Sequence, residues 1–178
     1  AAFAQDARKA AGGESVQGRG RVNLASRAGC NLDQRGTGGG PGGAGALGDM
    51  GCHIFDPVFE ALALTSPLSL RSEGPAPDAW NWSVNARIRY VFPGTAYTEG
   101  KTVPVTWYDG DERPPAEIRA LVAEPRDAAK AKGGRKADPD SQGSIIIGTK
   151  GVLHVPHIAA PRLFPLADFR DYVLPERA

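Results

Sequence analysis

The hydrophobic period of this chain changes once, and that change limits what it can fold into. Leu47, Met50, Ile54, Val58 and Leu62 recur at spacings of three and four, which makes an apolar stripe and predicts a helix over 46–64. From about residue 67 the apolar positions alternate instead. Leu68-Ser69-Leu70-Arg71-Ser72 is a short strand pattern, and the run from Trp82 to Phe92 alternates over eleven residues before the turn signal Pro93-Gly94. Val103-Pro104-Val105-Thr106-Trp107-Tyr108 is a third strand, closed by Asp109-Gly110. Ser144 to Gly148 and Gly151 to Val155 are two more, with a tight hairpin turn at Thr149-Lys150-Gly151. Between them, 115–124 predicts a short helix and the rest of 111–141 an exposed loop. Strands that follow one another without long intervening helices favour antiparallel pairing. The expected class is therefore α+β: one main helix packed on a mostly antiparallel or mixed open sheet of four or five strands.

The first 43 residues are of another kind. Roughly half of the 23 glycines lie there, with scattered arginines and few large apolar residues. A stretch such as Arg35-Gly36-Thr37-Gly38-Gly39-Gly40-Pro41-Gly42-Gly43 cannot bury enough surface to offset its ordering entropy. Residues 1–43 are expected to be mostly disordered or non-native, with one short helix near 4–11. Residues 44–178 form the expected domain.

Charge and cysteines exclude more than they assign. Net charge is +1, and Lys130, Lys132, Arg135 and Lys136 are balanced by nearby acids, so no nucleic-acid partner is expected. No apolar run is long enough for a membrane span. Cys30 and Cys52 are too few for a disulfide framework. Gly38 to Gly43 and Gly43 to Gly48 both fit G-x-G-x-x-G. Residues 27–37 hold no buried strand to precede them, so chance matches in glycine-rich sequence are the better account. Trp80, Trp82, Tyr90, Phe92, Trp107 and Tyr108 fall on strand patterns and are expected mostly in the core.

The chemistry concentrates on the helix. Asp49 and His53 lie four apart and share a helical face with Asp56 and Glu60. A carboxylate beside an imidazole can orient the ring and fix its tautomer, the minimum needed to move a proton at a substrate hydroxyl. The bland alternative is a partly exposed helix face. Gly45, Gly48 and Gly51 each cost about 1 kcal/mol against alanine in a helix, so their presence predicts a close neighbour. Pro57 should kink the helix, or open a second piece capped by Asp56, and leave a carbonyl free near His53. His154 and His157 with Cys52 and His53 would make a conceivable metal set. Pro156 stands between the two later histidines, so solvated histidines at a strand end are expected and no metal.

Gly45, Asp49, Gly51, His53 and Asp56 together spell G-x-x-x-D-x-G-x-H-x-x-D. This string resembles the motif that heads a helix in the C-terminal domain of the glucose–fructose oxidoreductase/inositol dehydrogenase (Gfo/Idh/MocA) family. Trp107-Tyr108-Asp109-Gly110 and Gly143 to Gly151 look like later parts of the same domain, and the resemblance covers about 44–175. It implies the substrate-binding and catalytic half of an NAD(P)-dependent oxidoreductase acting on a sugar, cyclitol or related polyol. It further implies His53 as the acid/base on the substrate hydroxyl, Asp49 as its assistant and a substrate ligand, and Asp56 as substrate-binding or helix support. NAD or NADP would bind a Rossmann domain missing from these residues, and that domain would also carry the lysine of an E-K-P motif that completes the catalytic set. The isolated chain is then expected to bind no cofactor and to be inactive. The sheet would make a homo-oligomer contact. Two alternatives stay open: a non-catalytic carbohydrate-binding or dimerisation module, and an NAD-dependent glycosidase variant of the same family.

Overall fold

The computed structural model describes residues 21–26, 45–76, 83, 85–123 and 142–173. The chain runs β1 (Arg21–Ser26), α1 (Gly45–Ile54), α2 (Asp56–Ala61), β2 (Ser69–Ser72), β3 (Arg87–Pro93), β4 (Thr102–Asp109), α3 (Ala116–Ala120), β5 (Gly143–Ile147), β6 (Val152–Pro156) and β7 (Arg162–Phe164). The class is α+β, with the main helical segment on a largely antiparallel sheet, as the sequence predicts.

The sheet has the order β2-β3-β4-β1-β5-β6-β7. Two three-stranded antiparallel groups, β2-β3-β4 and β5-β6-β7, flank one strand. That strand, β1, pairs parallel with β4 and antiparallel with β5. Val22 sits opposite Val105 on one side and Ile146 on the other, and is buried. Here the structure differs from expectation. The segment 1–43 supplies a central strand at 21–26, so a strand precedes the helix and the described sheet has seven strands. The rest of that segment, with the helix expected near 4–11, lies outside the described residues.

The two groups bury opposite faces. In β4, Val103, Val105 and Trp107 alternate inward beneath the helices and are almost wholly buried. Ile54, Val58, Leu62, Leu64, Tyr90 and Phe92 complete this first core, with Leu47, Met50, Phe55 and Ile146 packed against it. The predicted stripe thus faces the sheet. Phe55 packs edge-on to Tyr90 at 5.6 Å and lies 5.9 Å from Phe92, which pins the joint between the helices onto β3. In β5 the parity splits. Ser144 and Ile146 face the helices, while Ile145 and Ile147 join Val122, Val152, Phe164 and Ile118 of α3 in a second core on the other face.

Pro57 breaks the helical segment in two, one of the two outcomes expected. No side chain caps α2, so the capping role expected of Asp56 is not seen; Phe55 holds the cap position in a helical conformation. Val58 donates to Phe55 O at 3.0 Å rather than to Ile54 O, and Ser144 Oγ donates to Ile54 O at 3.0 Å. The carbonyl released by the break is therefore spent on tying α1 to β5. β3 begins at Arg87, because Asn85 takes a left-handed φ of 63° that an extended strand does not run through. Trp80 and Trp82 lie outside the described residues. Ala86 then closes on Asp109: its N–H donates to Asp109 Oδ1 at 2.7 Å, and its carbonyl accepts from Asp109 N at 3.0 Å. The other carboxylate oxygen, Asp109 Oδ2, accepts the Trp107 indole N–H at 3.0 Å. A residue that reads as part of a surface turn is thus a buried clamp, and burial pushes its carboxyl above the ordinary range.

Candidate functional site

Asp49, His53, Asp56 and Glu60 are all exposed, one face of the α1–α2 segment, opposite the stripe that meets the sheet. The turn that carries the candidate acid and base is therefore open to solvent and not buried. α1 packs against β1 and β4, which places His53 in its last turn near the middle of the sheet. Asp56 begins α2, beyond the break.

Asp49 and His53 share this face one turn apart, but among the described residues no hydrogen bond or ion pair joins them. The imidazole's neighbour is another ring. His157 lies with its centroid 5.8 Å from that of His53, tilted by 42°. His157 follows β6 and is itself exposed. It is held at two points: its backbone N–H donates to Gln142 O at 2.9 Å, and its Nδ1 lies 3.1 Å from Gln142 Oε1. An amide oxygen accepts, so with Gln142 Oε1 as the partner Nδ1 is the donor of this contact.

His157 was grouped with His154 in the sequence, and the structure separates them. His154 is buried on β6 opposite Ile145, on the face of the second core. Burial lowers its pKa, so it stays neutral. The separation was legible in principle: residues three apart at a strand end leave by opposite faces. Cys52 is exposed, with Sγ 3.5 Å from Asp49 O. Among the described residues no group of three or more His, Cys, Asp or Glu side chains is arranged to hold a metal.

At Gly45 and Gly51 of α1, among the described residues, no strand or second helix is the crowding partner. Gly45 has φ 63°, which favours glycine where the helix begins. At Gly51 an added Cβ would meet Leu47 Cδ1 of the same helix at 3.3 Å, and no strand or second helix comes as close.

No protein-family model and no curated protein matches this chain. Residues 27–44 separate β1 from α1, and the parallel partner of β1 is β4, reached only after β2 and β3. No helix is long and apolar enough to cross a membrane among the described residues.

Proposed function

We propose that this chain is the substrate-binding and catalytic half of an NAD(P)-dependent oxidoreductase acting on a sugar, cyclitol or related polyol. In this reading His53 takes the proton from the substrate hydroxyl, Asp49 binds the same or an adjacent hydroxyl, and Asp56, exposed at the first position of α2, is a further substrate ligand. The carbinol hydride would pass to a nicotinamide held outside the described residues. The observation that carries the reading is the exposed Asp49–His53 face, laid over an open sheet and spelled by the motif G-x-x-x-D-x-G-x-H-x-x-D. Exposure suits a carbohydrate, whose hydroxyls need polar partners within reach. Because the two side chains are not bonded to each other, both are available to a substrate.

The test is nicotinamide reduction by the protein together with its cofactor-binding domain, across a panel of sugars, cyclitols and polyols with each nucleotide. His53→Ala should cut turnover by about 10²–10⁴-fold, the usual share of a general base. The fold should survive, because the side chain is exposed. Unchanged turnover in His53→Ala removes the catalytic assignment. Saturable carbohydrate binding with no hydride transfer favours the non-catalytic module.

A further inference from the structure

The pairing of His53 with His157 suggests a second use of the same surface. We propose that these two imidazoles form a site for one divalent transition-metal ion of the zinc class, with solvent or a ligand oxygen in the remaining positions. The proposal does not rest on the dehydrogenase reading.

Three observations support it. The spacing fits first. Two imidazoles that share one ion at the usual zinc–nitrogen bond of about 2.0–2.1 Å have ring centres roughly 5–6 Å apart, and these two are 5.8 Å apart. The tautomer fits next. Metal-bound histidines almost always donate their other ring N–H to an oxygen, which fixes the ring and raises its basicity. Gln142 Oε1 stands 3.1 Å from His157 Nδ1 in that role, and the Gln142 carbonyl holds the His157 backbone at 2.9 Å. Access is the third. Both rings are exposed, one at the end of α1 and the other after β6, so an ion can enter without unfolding anything. The Ser144 Oγ to Ile54 O bond fixes the distance between these two supports.

Two imidazoles and no thiolate or carboxylate make a weak, open site. Nitrogen donors rank the ions copper(II) above zinc and nickel, with magnesium and calcium excluded. An ion here occupies the lone pair that proton transfer would need, so His53 serves only one of the two roles at a time.

Calorimetry with tag-free protein, titrated with zinc chloride and checked by competition with a chromophoric chelator, tests the site. One ion per chain is expected. Binding falls to background in His53→Ala and in His157→Ala, and persists in Cys52→Ser. Gln142→Ala should weaken it about tenfold, the lower end of the effect of an outer-shell partner. Circular dichroism of each variant confirms that it folds. Absent saturable zinc binding, or binding that survives both histidine variants, overturns the proposal. Neither result bears on turnover, so the metal site and the oxidoreductase reading stand or fall separately.

Discussion

The β2-β3-β4 group and the β5-β6-β7 group have the same strand count and the same antiparallel pairing, yet they are stabilised differently. The first lies under α1 and α2 and holds the larger core, centred on Val105 and Trp107, both fully buried. The second turns its apolar side the other way, where Ile118 of α3 packs against Val122, Ile145, Val152 and Phe164. A buried ionisable group lies in each, a carboxyl in the first and an imidazole in the second. The candidate site sits over the seam, with His53 contributed by the helices of the first half and His157 by the strand end of the second. Neither half could build the pair alone.

The sharpest way to break this comparison is Trp107→Ala. It empties the centre of the first core and leaves the Asp109 carboxylate without its indole partner. A loss of about 3–5 kcal/mol is expected in urea unfolding. If the halves unfold as one unit, probes in β4 and β6 should report the same midpoint. Ser144→Ala tests the tie between them more gently. It strips the buried Ile54 carbonyl of its donor and should cost about 1–3 kcal/mol. In the second core Ile145→Val should cost about 0.5–1.5 kcal/mol. A larger loss there than at Ser144 would mean that the small core matters more than its size suggests.

The two halves should also answer acid in opposite directions. His154 has a folded pKa below its unfolded one, so the unfolded chain binds the proton more readily. Stability is lost as pH falls from the ordinary histidine value towards the lowered one. Asp109 has a folded pKa above its unfolded one, so the fold binds the proton more readily. Its ionisation penalty is full above the raised value and is relieved as pH falls through it to the ordinary carboxylate value. Melting temperature against pH for His154→Gln should lose the first slope, and Asp109→Asn should lose the second. Parallel profiles in the wild type and both variants would remove the contrast.

What the sequence made legible was what periodicity carries. The stripe from Leu47 to Leu62 forecast the buried face of the helices, and the alternations around Leu70, Tyr90, Val105, Ile146 and Leu153 forecast five of the strands. The missed strands had no such signal. β7 is three residues long. β1 is six residues in a glycine-rich background, and its strand state comes from partners on both edges that lie far along the chain. Asp109 looked like turn chemistry, because nothing in the sequence says that an indole two residues earlier will need an acceptor. At the site, the spacing of Asp49 and His53 put both on one exposed face. His157 was hidden by Pro156 and by its pairing in sequence with a histidine that points elsewhere.

The position of β1 has a consequence for biosynthesis. The segment is made before either of its neighbours, and its place between them exists only after β5 has been synthesised. Until then β1, although β4 can already pair with it, has no partner on its other edge, and such an edge invites pairing with a strand from another nascent copy. The interval between synthesis of β4 and arrival of β5 is therefore when this protein is most open to misassembly, and slower translation through 110–142 would lengthen it.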